Sequence, residues 1–281
     1  MVLAVPPLMN NFAWSVSDIS GTRPAASMGV SVTPAQNAKG SYAQVLSATA
    51  RDSYLMMINI NANNAATDGR STLIDIGVDP AGGTSYTVLI PDLLGSCAGF
   101  RDIGGGISYT FPLWVRAGSS IGARASVSHA TVGTLRVSMT LFGSPRDMRM
   151  VKAGTYVTSF GITGASSTGT AVTSGTTSEG AWTQLGSTTT REHWFWQAGM
   201  SITDDTMNAL SYHFDLGIGD GTNKKVVIED VNSHTTAAEA MNYCSPGGYY
   251  HSKIGDGVYG RMQCSGTADA SPAMAAWGVG G

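Results

Sequence analysis

Apolar and polar residues alternate along much of the chain, and this alternation predicts β strands. The clearest case is the segment 134–142, in which every second residue is apolar: Leu135, Val137, Met139 and Leu141. A period of two places these side chains on one face of an extended chain. Similar runs rich in Val, Ile, Thr and Tyr, bounded by turn residues, cover 71–78, 84–90, 108–115 and 121–127. Only the short segment 235–242 is compatible with a helix.

One segment in each half of the chain departs from simple alternation. Residues 54–60 read Tyr-Leu-Met-Met-Ile-Asn-Ile, and residues 194–200 read Trp-Phe-Trp-Gln-Ala-Gly-Met. Both faces are therefore apolar where each strand begins, whereas a sandwich strand normally turns one face to water. We expect the second face to pack against the sister domain or another subunit, or else against a loop of its own domain.

The chain repeats itself at an offset of 140 residues. The identical pairs include Gly29 and Gly169, Gly40 and Gly180, Gln44 and Gln184, and Arg51 and Arg191. In the same register 74–78 matches 214–218, and after small deletions 117–124 matches 254–261. The final strands are aligned so that 142–143 corresponds to 277–278. An ordered series of matches in one register indicates an internal duplication.

Some of the retained positions predict structural roles. Gly77 and its counterpart Gly217 indicate either a positive φ or a close approach of neighbouring atoms. Arg51 and Arg191 are predicted to form structural ion pairs, and Asp75 and Asp215 are the partners that the alignment offers.

The length of 281 residues accommodates two domains. Short strands, frequent turns and the duplication together predict an all-β fold of two tandem jelly-roll-like β-sandwich domains. We divide the chain into an N-terminal arm (1–28), a first domain (29–143), a linker (144–168) and a second domain (169–281). For residues 1–28, two interpretations stay open: an arm that docks on a neighbour, or an added edge strand.

Composition narrows the possible partners. Charged residues make up 12% of the chain, against about 25% in typical globular proteins, so the surface must be rich in Ser, Thr, Asn and Gly. Such a surface suits tight-turned β folds and proteins buried against their neighbours. A net charge of −3 offers no basic face for nucleic acid. No apolar run approaches the roughly 20 residues of a membrane span, so we expect no membrane insertion.

The N-terminal segment and the cysteines bear on whether the chain is secreted and cross-linked. The N-terminal segment lacks a positive charge before its apolar residues and contains Pro6 and Pro7, so we do not expect a secretory signal peptide. Cys97, Cys244 and Cys264 form an odd set without metal-ligand spacing, which argues against a disulfide framework or a zinc site. The sequence leaves open whether Cys244 and Cys264 are oxidised.

No motif for catalysis is found. The sequence lacks a phosphate-binding loop and a His-Glu-x-x-His pair. The acidic segments 204–205 and 219–221 lack the alternating oxygen ligands of a calcium loop and are interpreted as turns. We therefore expect no catalytic residues, no cofactor and no metal ligands.

The second half is richer in aromatic residues than the first. The candidate contacts with a partner are Trp194, Trp196, Tyr249, Tyr250 and His251. Aromatic side chains in a sandwich either contact a partner such as a sugar ring or fill a core or an interface. Trp194 aligns with Tyr54 in the first half, which favours packing for that position, whereas segment 249–251 beside the turn at 247–248 is the best candidate for an exposed contact.

One stretch carries a resemblance to a known family. The segment 111–124, Phe-Pro-Leu-Trp-Val-Arg-Ala-Gly-Ser-Ser-Ile-Gly-Ala-Arg, together with 141–143, resembles virion structural proteins of tailed bacteriophages. The segments 40–46 and 73–78 are similar to the same family. The resemblance covers most of 29–143, whereas the second half keeps only the skeleton and departs from it at 249–252.

The resemblance implies a non-catalytic virion component, assembled in the cytoplasm of the bacterial host. Such a protein would lie on the particle surface as a capsid decoration or tail- or fibre-associated protein, and its partners would be other virion proteins and copies of itself. The alternative from another functional class is a host-recognition module that binds a host receptor or a surface glycan through the aromatic residues of the second half.

Overall fold

The computed structural model describes residues 13–16, 29–63, 72–95, 107–128, 134–143, 152–202, 210–234, 241–266 and 272–281. Every regular element within these ranges is a β strand. In the segment compatible with a helix, residues 235–240 lie outside the described residues, and the strand Met241–Cys244 follows them. Among the described residues there is no helix long and apolar enough to cross a membrane.

Ten strands build the first sandwich. They are β1 (Ala13–Val16), β2 (Val30–Val32), β3 (Ala35–Gln36), β4 (Ala43–Leu46), β5 (Leu55–Asn63), β6 (Thr72–Asp79), β7 (Thr87–Leu94), β8 (Ile107–Phe111), β9 (Ser120–Val127) and β10 (Thr134–Gly143). Sheet A has the order β1-β10-β5-β8, and β2 also pairs with β10. Sheet B has the order β3-β9-β6-β7, and β4 also pairs with β9.

Eleven strands build the second sandwich. They are β11 (Tyr156–Phe160), β12 (Thr170–Ala171), β13 (Ser174–Gly175), β14 (Thr183–Gln184), β15 (His193–Ile202), β16 (Ser211–Gly219), β17 (Lys224–His234), β18 (Met241–Cys244), β19 (Gly248–Ser252), β20 (Gly257–Cys264) and β21 (Ala273–Gly280). Sheet C has the order β11-β21-β15-β18, with β12 on β21 and β19 on β15. Sheet D has the order β13-β20-β16-β17, with β14 on β20.

The two halves share one topology. Each contains eight strands that correspond in chain order, and each divides them into the same two sheets. The first, eighth, third and sixth strands form one sheet, and the second, seventh, fourth and fifth form the other. This interleaved order is that of a jelly roll. The predicted fold class, two tandem jelly-roll-like sandwiches from a duplication, is confirmed.

The alternation found in the sequence reflects burial in the first sandwich. Along β10, buried and half-buried residues alternate over the whole strand. Its apolar residues join those of β5 and β6 in a core between sheets A and B that includes Ile58, Ile60, Ile74 and Ile76. By contrast, all ten residues of β15 are buried. The departure from alternation in segment 194–200 therefore marks a strand that is covered on both faces.

The register of the final strands differs from the sequence alignment. Gly143 faces Ala13 of β1, and Gly280 faces Tyr156 of β11. Gly143 therefore corresponds to Gly280 rather than to Gly278, so the alignment that placed 142–143 opposite 277–278 was wrong by two residues. An added Cβ on either glycine would collide with a backbone oxygen of the segment that precedes β5 in the first half or β15 in the second. This close approach explains why both halves keep a glycine at this position.

Two strands fall in ranges that were predicted to be an arm and a linker. β1, within 1–28, pairs antiparallel with β10, which is the edge-strand interpretation of this range; residues 1–12 and 17–28 lie outside the described residues. β11, within 144–168, pairs antiparallel with β21 along its whole length. Its Val157 and Phe160 are buried, so this part of the expected linker is a strand held by apolar side chains.

Candidate functional site

The outer face of sheet C is buried against the first sandwich. Trp277 of β21 is fully buried, and its ring lies 5.2 Å from the ring of Tyr109 in an edge-to-face arrangement. Phe195, Ala275 and Val279 belong to the same apolar cluster as the core of the first sandwich. The two sandwiches therefore share one continuous apolar core at their junction, and packing of the β15 face against the sister domain is confirmed.

On the other side, the junction uses two edge strands of the first sandwich. β7 is the edge of sheet B and β8 the edge of sheet A. The Tyr109 hydroxyl on β8 donates a hydrogen bond to the Leu94 carbonyl oxygen on β7, 2.8 Å away, and β11 lies against β7. Sheet C thus covers the end of the first sandwich that lies between the edge strands β7 and β8. The edges of the first sandwich therefore pack against a sheet face of the second.

Close approach at this junction requires a small residue. A Cβ built on Gly199 of β15 would lie 2.9 Å from the Trp277 ring and 3.0 Å from Leu94 Cδ1. Both distances are shorter than an ordinary van der Waals contact, so a side chain here would push the sheet away. Gly199 is the residue that lets the two sandwiches meet.

The matching outer face of sheet A is not buried in this way. Leu55 and Met57 of β5 are half-buried and belong to neither core cluster. On the same face, Asn59 and Ser138 occupy the positions that Gly199 and Ala275 occupy in sheet C. The doubly apolar start of β5 therefore leaves a partly exposed face rather than a covered one.

The five predicted contact residues divide between core and surface. Trp196 is fully buried in the core of the second sandwich, and its Nε1–H donates a hydrogen bond to the Tyr250 carbonyl oxygen. Tyr250 is half-buried and packs against the same core. Packing is thus the role of Trp196, as it is of Trp194, which is 7% exposed and lies at the junction.

Tyr249 and His251 are exposed. Tyr249 is 69% exposed, and its ring stacks nearly parallel on the Trp194 ring, with 5.9 Å between the ring centroids. The Lys152 ammonium lies 5.3 Å from the centroid of the Trp194 ring. We call Lys152, Trp194 and Tyr249 the aromatic patch. The His251 Nε2 atom lies 3.4 Å from an oxygen of Glu192 at the surface.

One exposed aromatic residue was missed. Trp114 is 41% exposed, and its backbone N–H donates a hydrogen bond to the Gly154 carbonyl oxygen, two residues after Lys152. It belongs to the Phe-Pro-Leu-Trp segment, which was noted only for its family resemblance. The sequence signal that could have identified Trp114 is an aromatic residue close to a proline, in a segment where the alternation of apolar and polar residues is interrupted.

The outer faces of sheets B and D carry equivalent charge clusters. In sheet B, Asp75 is buried and accepts hydrogen bonds from Lys39 Nζ (2.7 Å) and Arg124 Nε (2.9 Å). The Lys39 ammonium also lies 3.0 Å from Asp92 Oδ1. The Arg124 guanidinium packs on the Tyr42 ring at 4.9 Å. We call Lys39, Asp75, Asp92 and Arg124 the first charge cluster.

The second charge cluster consists of Glu179, Asp215, Asp230 and Arg261. Arg261 Nε lies 2.8 Å from Asp215 Oδ2, and its Nη1 lies 2.5 Å from Glu179 Oε2. The Asp230 backbone N–H donates to Asp215 Oδ1. Burial, together with a hydrogen bond to Asp215, raises the pKa of Glu179. One oxygen from each of the three carboxylates lies within 4.8 Å of the others, whereas the sequence predicts no metal ligands.

These clusters correct the predicted ion pairs. Asp75 and Asp215 stand directly opposite Arg124 and Arg261 on the neighbouring antiparallel strands, so those arginines, and not Arg51 and Arg191, are their partners. The Arg191 guanidinium lies instead over the Tyr156 ring at 4.9 Å. Arg51 is exposed in the segment before β5.

The retained glycines beside the clusters are explained by close approach. A Cβ on Gly77 would lie 2.7 Å from the Tyr42 ring, and a Cβ on Gly217 would lie 2.9 Å from the Trp182 ring. Each ring lies across its glycine and also supports the arginine of its cluster. The prediction of a close approach is confirmed for both positions.

Two of the three cysteines can be described. Cys244 and Cys264 are free thiols, and burial raises the pKa of the Cys244 thiol above its usual range. Cys97 lies outside the described residues.

No family model matches the sequence, and no curated protein matches it either. Several solved structures are loosely similar. The STIV MCP is 8% identical, with 95% of this chain and 96% of that chain covered and a TM-score of 0.39. PNGase F, a glycosylasparaginase from Flavobacterium meningosepticum, is 10% identical, with coverage of 95% and 96% and a TM-score of 0.40.

A third similar structure is the CBM22-1–CBM22-2 tandem domain of Xyn10C from Paenibacillus barcinonensis. It is 9% identical, with 96% of this chain and 93% of that chain covered and a TM-score of 0.27. All three TM-scores are below 0.5, and a likeness of this degree does not favour one function over another. The fold and its surfaces define the chain as a tandem jelly-roll protein.

Proposed function

We propose that the chain is a non-catalytic structural protein of a bacteriophage virion, placed on the particle surface as a capsid decoration or a tail- or fibre-associated protein. The resemblance over 29–143 and the low charged fraction support this proposal. The observation that carries it is the junction: one jelly roll closes its open end on the sheet face of another and shares its core. Such edge-to-face contacts are suited to assembly by protein–protein interfaces.

The partly exposed face of sheet A is the proposed assembly surface, and its occupant is a second chain of the same protein. The matching face of sheet C is already buried by a jelly roll of this chain, so the proposed contact would repeat the kind of interface that joins the two sandwiches. Leu55 and Met57 supply the apolar part, while Asn59 and Ser138 make the face more polar than its counterpart. A polar face gives a weak pairwise contact that many repeated copies on a particle would reinforce.

Sedimentation of the purified chain over a range of concentrations tests the assembly surface. We expect species larger than the monomer, and we expect Met57→Asp to shift them towards the monomer. Val88→Asp is the matched control, because Val88 is also a partly exposed apolar side chain (39%) but lies on β7 of the other sheet. A monodisperse monomer at high concentration would contradict the proposed self-association.

The virion location needs a separate experiment. Purified particles should contain the chain in a stoichiometric amount by mass spectrometry, and cryo-electron microscopy should place its tandem jelly rolls on the outside of the capsid or tail. Absence from purified particles would exclude the virion role even if the chain self-associates.

The aromatic patch favours a second candidate function, binding of a host-surface glycan. Tyr249 presents an exposed ring whose other side is backed by Trp194, and a rigid apolar ring with polar neighbours is a surface on which a sugar ring can stack. A glycan array should then show saturable binding that Tyr249→Ala abolishes. Ile254→Ala is the matched control, since Ile254 is equally exposed (68%). No saturable binding to any glycan would exclude this function.

A further inference from the structure

The first charge cluster holds a positive charge at a defined place. The Lys39 ammonium lies between two carboxylates, 2.7 Å from Asp75 Oδ1 and 3.0 Å from Asp92 Oδ1. Asp75 Oδ1 also accepts the backbone N–H of Asp92 at 3.0 Å. This oxygen therefore has two donors, one from the backbone and one from a cation.

The second charge cluster keeps the two aspartates and lacks this cation. The Asp230 N–H donates to Asp215 Oδ1, as the Asp92 N–H does to Asp75 Oδ1. Asp92 and Asp230 also share a positive φ, 56° and 51°. At the 140-residue offset, however, Lys39 is replaced by Glu179. The chain position that supplies an ammonium to Asp75 Oδ1 in the first cluster therefore supplies a carboxylate in the second.

The replacement leaves the second cluster with more acidic than basic side chains. The first cluster contains two acids and two bases, whereas the second contains three acids and Arg261 as its one base. The Asp215 side chain is only 2% exposed, so water does not screen it fully. Partly buried charges without compensation are unfavourable, and a divalent cation would restore the balance found in the first cluster.

The spacing of the carboxylates fits such an ion. Oxygens bound to one Ca²⁺ at 2.3–2.6 Å can be up to about 5 Å apart. One oxygen each from Glu179, Asp215 and Asp230 lies within 4.8 Å of the others. Carboxylate oxygens are also the hard donors that Ca²⁺ prefers.

We propose that Glu179, Asp215 and Asp230 bind a divalent cation of the Ca²⁺ class at the place that the Lys39 ammonium occupies in the first cluster. Arg261 positions two of the ligands by binding Asp215 Oδ2 and Glu179 Oε2. The ion joins the loop that carries Glu179 to β16 and β17 on the outer face of sheet D.

Calorimetric titration of the whole chain with CaCl2 tests the site, and the duplication supplies its controls. We expect one Ca²⁺ per chain and a higher melting temperature in Ca²⁺ than in NaCl of the same ionic strength. Glu179→Lys rebuilds the first cluster and should abolish both effects, with a melting temperature that no longer depends on Ca²⁺. The reciprocal change, Lys39→Glu, should create a second site and raise the stoichiometry to two.

Glu179→Gln removes one charged ligand without adding a base, and it should weaken Ca²⁺ binding at least tenfold while keeping the fold. Tb³⁺ gives a direct readout, because the Trp182 ring lies 4.4 Å from Arg261 and should sensitise its emission in the wild type but not in Glu179→Lys. The proposal is wrong if the wild type takes up no Ca²⁺ at millimolar concentration. It is equally wrong if Glu179→Lys and Glu179→Gln bind Ca²⁺ as the wild type does.

Discussion

The outer faces of sheets A and C descend from one ancestral sheet, yet one is partly exposed and the other is buried. Where sheet C has Trp277, Ala275 and Gly199, sheet A has Thr140, Ser138 and Asn59. Three positions in the middle of the face thus decide whether a jelly roll can accept another on its sheet. Small residues let the partner approach, and one large aromatic residue fills the space between them.

The largest effect is expected from Trp277→Ala. Removing a fully buried indole at the junction leaves a cavity between two sandwiches, and we expect a loss of about 3–5 kcal/mol in the free energy of unfolding. The counterpart Thr140→Ala lies on the half-buried face and should change it by about 0.5 kcal/mol or less. Urea denaturation measures both, and equal effects would show that the junction does not stabilise the chain.

The next largest expected effect is a pH dependence of stability that arises from a residue of the second sandwich and not from its counterpart in the first. Burial, and secondarily the charge of Arg191, lowers the pKa of His193 to about 4, whereas the first sandwich has Ser53 at the equivalent position. Since an unfolded histidine titrates near 6.5, the unfolded state binds more protons between these values. The contribution of His193 to the free energy of unfolding is therefore fully present above about pH 6.5, and about 3 kcal/mol is lost as the pH drops to about 4.

Urea denaturation at pH 4.5, 5.5 and 7 measures this slope, and His193→Gln is the control that cannot titrate. The variant should retain less of the pH dependence, whatever its stability at pH 7. A slope unchanged by the substitution would place the titrating group elsewhere.

Exchanging residues between the two faces should produce a smaller effect. Gly199→Asn introduces the sheet A residue into sheet C, where its Cβ would collide with Trp277 and Leu94, and we expect a loss of about 1–3 kcal/mol. Asn59→Gly, the reciprocal change on the half-buried face, should cost about 1 kcal/mol or less. Thermal unfolding of the two variants compares them, and a harmless Gly199→Asn would mean that the junction is looser than described.

The smallest effect concerns the aromatic patch. Tyr249→Ala should alter the free energy of unfolding by about 0.5 kcal/mol or less, because the side chain is 69% exposed. Any loss of ligand binding in this variant would then report on the patch itself. A marked destabilisation would instead assign Tyr249 a packing role, since its ring covers Trp194.

Local patterns predicted the fold well, and long-range pairings only in part. The alternation along β10 and the constant offset depend on neighbouring residues and are visible in the sequence. The doubly apolar start of β15 indicated a covered second face but could not say that β7 and β8 provide the cover. Alignment across deletions placed Trp277 two residues away from its true counterpart, because only the pairing with β11 and β15 fixes that register.

The second charge cluster shows why the candidate metal site was not found in the sequence. Its ligands Glu179, Asp215 and Asp230 come from a loop and two strands, so no local spacing brings them together. In the sequence, the exchange of Lys39 for Glu179 resembles an ordinary surface substitution. In the structure, Asp75 and Asp215 occupy equivalent positions in sheets B and D. Only the comparison of the two folded halves gives the exchange its meaning.

The shared core at the junction has a consequence for the order in which the chain folds. The first sandwich is synthesised first, yet the indole that seals its open end lies on the last strand described. Until β21 has been made and inserted, Tyr109 and Leu94 have no apolar cover from sheet C, and early stability must come from sheets A and B alone. A ribosome-bound first half should therefore be recognised by chaperones or proteases, and release from that recognition should coincide with the emergence of Trp277.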